Sequence, residues 1–202
     1  MKSFYFFLSI ILSSWLSCQT VGETSGSVPH QELTLAAQKR LSRRAEQVLM
    51  ALKDQRFDTL AEVTHPARGL CFSPSAHVRG SSPVFESEGL RQLPQTEHPI
   101  FWGNEALSGD SLNLTFKQYY SRYLYDRDYL AADSIFFNYH HQRGNVVNNL
   151  RSAFGNHAVV IEYFVPGNSD YSQLDWRSLR LVFAPHADEW FLVGVVHSQW
   201  MM

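Results

Sequence analysis

The last third of the chain contains three largely apolar runs of strand length that are separated by turn residues, and this pattern limits the fold more than any other feature. Residues 158–165, 177–184 and 189–196 are rich in branched and aromatic side chains. The segment 185–188 reads Pro-His-Ala-Asp, which is typical of a hairpin turn. Together these runs predict consecutive strands of an antiparallel sheet.

The N-terminal part has the periodicity of helices instead. Residues 32–55 carry one apolar stripe at helical spacing, formed by Leu41, Ala45, Val48, Leu49 and Leu52. A second short helix is predicted from Phe57, with Asp58 as its cap. Helices followed by strands predict an α+β domain, in which N-terminal helices pack on a curved, mainly antiparallel, cone-like sheet.

Two shorter segments connect these regions. Residues 69–79 surround Pro74, which predicts a broken or edge strand because proline donates no hydrogen bond to a ladder. Thr115 and Gln118 have the spacing of a capping box. The predicted helix behind them has an aromatic stripe that is more typical of core packing than of a cofactor site: Phe116, Tyr119, Tyr120, Tyr123 and Leu124.

The first 17 residues have the composition of a secretory signal peptide. Lys2 precedes an apolar run of about 13 residues, which is too short for a bilayer-spanning helix, and the small residue Ser17 closes it. Cys18 follows directly. The junction at Ser17 and Cys18 resembles a bacterial lipoprotein signal, although Trp15 stands where such signals usually carry leucine.

The resemblance of this junction implies that Cys18 is acylated, with palmitate or a similar chain, and tethers the protein to a membrane of the cell envelope. Two alternatives remain open: ordinary cleavage near Ser17, which would give a secreted or periplasmic protein, and an uncleaved signal anchor. Residues 18–30 are small and polar, so they are predicted to form the lipidated cysteine and a flexible tether. Residues 31–202 are predicted to form a single α+β domain.

Composition argues against nucleic acid as a partner. The chain has 17 Lys and Arg against 19 Asp and Glu, and removal of the signal peptide would take only Lys2 from that balance. As the main partner, nucleic acid or an anionic lipid surface would require a basic surface instead. Acylation of Cys18 would leave Cys71 without a partner, so Cys71 is predicted to be a buried free thiol.

Common catalytic and metal-binding signatures are absent from the sequence. It contains no GxSxG, GxGxxG, HExxH, Walker phosphate-loop or CxxC pattern. The histidines do not have chelating spacing, since His140 and His141 are adjacent and His65, His157 and His197 are isolated. The sequence therefore predicts neither a metal nor a cofactor.

The candidate ligand-binding residues combine a polar loop with two side chains at strand ends: Arg143, Asn145, Asn148, Asn149, Trp176 and His197. The loop concentrates directional donors and acceptors that suit the polar groups of a ligand. The same asparagines would also serve to satisfy their own backbone through Asx turns, and that structural reading is the stronger one. The hairpin brings Trp176 and His197 to one end of the sheet.

Three ionisable side chains lie in otherwise apolar strands: Glu162, Arg180 and His197. Facing one cavity, they would form an acid–base set. Alternation favours the other interpretation, because it directs Glu162 and Arg180 away from the apolar faces of their strands. There they would pair across strands at the surface for roughly a few tenths of a kcal/mol.

The order of elements resembles the nuclear transport factor 2-like superfamily of ketosteroid-isomerase-like cones. A closer resemblance, to a family of bacterial lipoproteins of unknown function, is carried by segments 72–74, 143–145, 148–149, 160–163, 175–183 and 190–197. This resemblance implies a fold and a location in the cell envelope, and it implies no activity. The resulting prediction is an exported, tethered lipoprotein that binds a small molecule or an envelope protein. The alternative is a small isomerase or hydrolase acting on a hydrophobic substrate.

Overall fold

The structure is a computed structural model that describes residues 33–105, 107–138 and 143–200. The predicted signal peptide (1–17), Cys18 and the tether (18–30) lie outside the described residues. Among the described residues, no helix combines the length and apolar character needed to cross a bilayer.

Five helices and eight strands are described, in an order that begins with helices and ends with long strands. The helices are α1 (Leu35–Lys53), α2 (Phe57–Val63), α3 (Ser87–Gln92), α4 (Phe116–Tyr119) and α5 (Leu150–Phe154). The first strands are β1 (Leu70–Ser73), β2 (Val84–Phe85), β3 (Ile100–Asn104), β4 (Ser111–Leu114) and β5 (Ser134–Phe137). The last are β6 (Val159–Val165), β7 (Arg177–His186) and β8 (Glu189–Gln199). A π-helical turn, Tyr120–Leu124, continues α4.

Six strands form one sheet in the order β2-β1-β8-β7-β6-β5, and β3 pairs with β4 separately. Every pairing in the large sheet is antiparallel except that of β1 with β8. The β7–β8 hairpin shifts register between Val182 and Phe183. A bulge of this kind increases the local twist of a sheet.

One face of the sheet, called here the helix-covered face, packs against the helices. Side chains on this face include Ile161, Leu179, Leu181 and Val195, and they share one core with the predicted stripe of α1. The capping box of Thr115 is present as predicted. The aromatic stripe behind it is also mostly buried in this core. The predicted α+β class, with N-terminal helices on a mainly antiparallel sheet, is confirmed.

The opposite face, called here the loop-covered face, is also buried. Leu150 and Phe154 of α5 pack on it, together with Val78. Their apolar partners in the sheet are Cys71, Val160, Val182, Ala184, Val193 and Val196. Cys71 is a buried free thiol, as predicted, and burial raises its pKa to about 11.

Three local predictions are wrong. The edge-strand alternative for residues 69–79 is wrong, because β2 and β8 flank β1, whereas the broken-strand alternative holds, because β1 ends at Ser73, directly before Pro74. Asp58 does not cap α2, because Arg56 occupies the N-cap and Asp58 lies in the first turn. The hairpin turn shortens to residues 187–188, since His186 and Glu189 still pair and Ala187 takes a left-handed conformation.

Candidate functional site

Polar side chains gather on the helix-covered face where β7 begins and β8 ends. His197 of β8 pairs with Leu179 of β7, and its side chain is fully buried. Its Nε2 lies 3.3 Å from Oδ1 of Asp126, and its ring meets that of Tyr123 edge-on at 5.6 Å. Neither ring nitrogen makes a well-aligned hydrogen bond to another described residue.

Asp126 is the centre of this group. The hydroxyl of Tyr129 donates to its Oδ1 at 2.6 Å, and Nε of Arg177 donates to its Oδ2 at 2.9 Å. Burial acts to raise the pKa of Asp126, but His197, Tyr129 and Arg177 outweigh it and lower that pKa to about 2. The carboxylate is thus held in its charged form.

A pocket of about 390 Å³, called here the mouth pocket, lies beside this group, and Arg177 connects the two. Arg177 and Gln199, which pair across the hairpin, contribute to its lining. The other described lining residues are Glu105, Arg122, Tyr171, Leu174, Asp175 and Trp200. Tyr171 and Leu174 are exposed apolar side chains at its edge.

A hydrogen-bonded pair of side chains connects the mouth pocket to the π-helical turn that continues α4. The hydroxyl of Tyr123 donates to Oε1 of Glu105 at 3.0 Å. Arg122 also contacts this carboxylate, with Nη2 to Oε1 at 3.4 Å. Burial, followed by the charge of Glu105, raises the pKa of Tyr123 above its ordinary range. Tyr123 therefore stays protonated and acts as a donor here.

A second polar cluster, called here the buried ion network, lies on the loop-covered face. Glu162 and Arg180 are directly opposite each other in β6 and β7, and both side chains are fully buried. Oε1 of Glu162 accepts from Arg180 Nη2 at 2.8 Å and from Ser178 Oγ at 2.6 Å. Arg180 also donates to Ser198 through Nη1. The predicted pairing is confirmed, whereas the predicted surface position is wrong.

Arg143 covers this network from the predicted polar loop. Its Nε donates to Oε1 of Glu162 at 3.2 Å, and its guanidinium lies 4.0 Å from the ring centre of Phe164. Gly144 follows with φ +73°, and a Cβ placed there would lie 2.7 Å from Cζ2 of Trp176. The predicted loop and Trp176 therefore meet, and Trp176 is buried beneath the loop.

Two asparagines of the loop, Asn148 and Asn149, form hydrogen bonds with backbone groups. Asn148 Oδ1 accepts from Leu150 N at 3.0 Å, which is the Asx-type contact considered above. Asn149 clamps Val78 with two bonds of 2.8 Å, one to its N–H and one to its carbonyl. Asn145 is exposed. Ligand binding by these residues stays a prediction.

The predicted site thus divides between the two faces of the sheet. Arg143 and Trp176 lie on the loop-covered face, whereas His197 lies on the helix-covered face. Asp126 and its contact with His197 are not among the residues and contacts predicted from the sequence. Strand alternation is the sequence signal that could have indicated this part of the site, because it puts Arg177 on the face of Leu179 and hence beside His197 in the hairpin.

The described residues contain no group of three His, Cys, Asp or Glu side chains arranged to hold a metal ion. The mouth pocket offers two arginines, two carboxylates and apolar edges. This donor set suits an organic ligand with polar and apolar parts.

No family model matches the chain, and no curated protein matches it. A variant of a protein named Rd1NTF2_05 aligns with 80% of this chain and 99% of its own length, at 10% identity and a TM-score of 0.31. A DUF4783 family protein from Bacteroides ovatus aligns with 77% and 94%, at 8% identity and a TM-score of 0.28. An NTF2-like family protein from Streptomyces avermitilis aligns with 83% and 99%, at 12% identity and a TM-score of 0.32. Membership of the lipoprotein family remains a prediction.

Proposed function

We propose that the protein is an exported, membrane-tethered lipoprotein that binds a small molecule in the mouth pocket. The observation that carries this proposal is a pocket of about 390 Å³ whose lining residue Arg177 is held by the ionised carboxylate of Asp126. Pockets for small molecules typically combine apolar walls with a few fixed polar groups. Asp126 fixes Arg177 in this way, and Tyr123 fixes Glu105.

The lining supports a ligand with an apolar body and a polar, anionic end. Tyr171, Leu174 and Trp200 supply the apolar contacts. Arg122 is the more accessible cation, with 57% of its side chain exposed, and its contact with Glu105 is long at 3.4 Å. A carboxylate or phosphate on the ligand would compete with Glu105 for this guanidinium.

The alternative function, a cone-type isomerase or hydrolase, draws support from the contact of Asp126 with His197. Two features weigh against it. A carboxylate with a pKa of about 2 is a weak general base near neutral pH. His197 is fully buried, so a substrate would need the packing around it to open before the imidazole could act. Binding without catalysis is therefore the proposed function.

A fragment screen by ligand-observed NMR tests the binding proposal. Fragments with an aromatic body and a carboxylate should bind the full chain. We expect Leu174→Trp, which fills the pocket edge, and Arg122→Gln each to weaken them about tenfold or more. Arg56→Gln, a change of an exposed arginine outside the pocket, serves as the matched control. Hits that bind all three variants equally would refute the proposed pocket.

The tether has its own test. Cys18→Ala should move the protein from the membrane fraction to the soluble fraction, because firm anchoring requires acyl chains at that residue. Cys71→Ala provides the control, since it removes the other cysteine of the sequence and leaves the junction unchanged. An unchanged distribution of the Cys18→Ala protein would remove the lipid anchor from the proposal.

A further inference from the structure

A second pocket, of about 360 Å³, opens on the loop-covered face and is called here the arginine pocket. It lies between β1, the middle of β8 and helix α5. Val193, near the middle of β8, lines it, whereas Gln199, the last residue of the same strand, lines the mouth pocket. The two pockets therefore lie on opposite faces and at different positions along β8.

The floor and walls of the arginine pocket are apolar. Val78, Val84, Val193 and Phe154 line it, with the thiol-bearing residue Cys71. Gly194 permits this arrangement, because a Cβ at that position would lie 2.6 Å from Cζ of Phe154. The ring of Phe154 thus lies directly against the backbone of β8 and forms a fixed wall.

The charged groups of this pocket are all cationic. Arg68 and Arg79 line it, and no described carboxylate does. Neither arginine takes part in an ion pair within the described part of the chain. Arg68 donates from Nη2 to the carbonyl of Phe154 at 3.1 Å, which fixes its guanidinium at the edge of the apolar wall.

This local charge contrasts with the chain as a whole, whose formal net charge is −2. Unpaired guanidinium groups at the edge of a pocket attract carboxylates and phosphates, with which they form strong charge-assisted hydrogen bonds. The hydroxyl-bearing residues Ser82 and Ser152 also line the pocket. An apolar floor beside two cations fits a molecule that has an anionic head and an apolar chain.

We propose that the arginine pocket binds an amphipathic anion. The carboxylate or phosphate head lies between Arg68 and Arg79, and the apolar chain lies on Val78, Val193 and Phe154. This site is separate from the mouth pocket, and neither proposal depends on the other. The anion is either a soluble amphiphile or the exposed part of a membrane lipid, because both present the same chemistry to the pocket.

Titration calorimetry with decanoate, decanol and inorganic phosphate tests the soluble source. We expect decanoate to bind at least about tenfold more tightly than either decanol or phosphate, because only decanoate supplies both head and chain. Arg68→Gln and Arg79→Gln should each weaken decanoate about tenfold, whereas Arg56→Gln should not change it. Ala153→Trp, which fills the pocket from an exposed lining position, provides a variant that leaves both arginines in place.

Vesicle sedimentation tests the lipid source, with the Cys18→Ala chain so that no acyl anchor contributes. Association with phosphatidylglycerol vesicles but not phosphatidylcholine vesicles, lost with Arg68→Gln and Arg79→Gln, would support the proposal with a lipid as the ligand. Decanoate binding that Ala153→Trp and the arginine variants each weaken about tenfold or more would support a soluble ligand. Absence of both results in folded protein, or equal loss with Arg56→Gln, would overturn the proposal.

Discussion

The two faces of the large sheet bury similar strands in different ways. The helix-covered face is apolar along most of its length, and its ionised group, Asp126, lies at the end of the sheet beside a pocket. The loop-covered face has Glu162 and Arg180 in the middle of its central strands, fully enclosed. A short helix and the polar loop that contains Arg143 cover this face, rather than long helices.

The two faces differ in whether a ligand can reach their charged groups. On the helix-covered face the charged groups reach a pocket, so a ligand can compete for them. On the loop-covered face Glu162 already accepts hydrogen bonds from Arg143, Ser178 and Arg180. Its carboxylate is therefore engaged by other residues of the protein and is not offered to a ligand. We therefore expect substitutions in the network to alter stability, and substitutions around the mouth pocket to alter binding.

The largest effect is expected for Glu162→Gln. It removes the carboxylate that compensates the buried guanidinium of Arg180, and breaking one partner of a buried pair typically costs about 3–5 kcal/mol of unfolding free energy. Urea unfolding measures this loss. The double variant Glu162→Leu with Arg180→Met should regain most of it, because no fully buried charge then remains unpaired; Arg143, which also loses its contact with Glu162, is partly exposed.

A surface pair provides the matched control. Arg44 and Glu189 lie 3.2 Å apart, but 64% of the Glu189 side chain is exposed. Glu189→Gln should therefore cost no more than about 1 kcal/mol. If Glu162→Gln costs as little as Glu189→Gln, then water reaches the network and the loop does not seal this face.

Valine-to-alanine substitutions on the two faces should have smaller effects on the unfolding free energy, and they compare how the faces are packed. Val195 and Val196 are consecutive and fully buried, and they belong to the cores of the helix-covered and loop-covered faces respectively. Val195→Ala should cost about 2 kcal/mol, from lost burial and the cavity it leaves. Val196→Ala should cost about 1 kcal/mol less, because Val196 lies opposite Arg180 and water can enter a polar cavity. Equal losses in urea unfolding would mean that both faces are equally dry.

The comparison also explains how much the sequence could predict. Alternation correctly assigned Glu162 to the side opposite Ile161, and Arg180 to the side opposite Leu181, because a strand fixes those directions locally. Burial of both charges depends on a cover that comes from residues 143–154. No local pattern in β6 or β7 encodes that cover.

The candidate site shows the same division between local features, which the sequence predicts, and contacts between distant segments, which it does not. The hairpin predicted that residues at the start of β7 and the end of β8 would meet, and Arg177 does pair with Gln199. Asp126 follows the π-helical turn that ends at Leu124, and its approach to His197 depends on how that turn packs on the sheet. A contact between distant segments of this kind leaves no periodic signal in the sequence.

The pH dependence of stability tests the charge beside the mouth pocket. The pKa of Asp126 falls from 3.8 to about 2 on folding, so the unfolded chain binds more protons between these values. Asp126 therefore stabilises the fold by about 2 kcal/mol above pH 4, and this contribution is lost as the pH falls towards 2. Urea unfolding at several pH values should show a shallower acid dependence for Asp126→Asn. Tyr129→Phe, which removes one donor, should have a partial effect, and an unchanged slope in both variants would contradict the assignment.

The smallest effect concerns the contact of the loop with Trp176. Gly144 and Gly109 both have positive φ, at +73° and +76°, so alanine is strained at either position. They differ in surroundings, because a Cβ at Gly144 would meet Trp176 at 2.7 Å, whereas one at Gly109 would meet nothing within 4 Å. The strain that comes from φ is therefore matched, and Gly144→Ala should cost about 1 kcal/mol more unfolding free energy than Gly109→Ala. The extra cost should be accompanied by a change in tryptophan fluorescence in the Gly144→Ala protein alone. Identical stabilities and spectra would mean that the loop can lift from Trp176 without loss, and the cover of the loop-covered face would then be weaker than the contacts of Arg143 indicate.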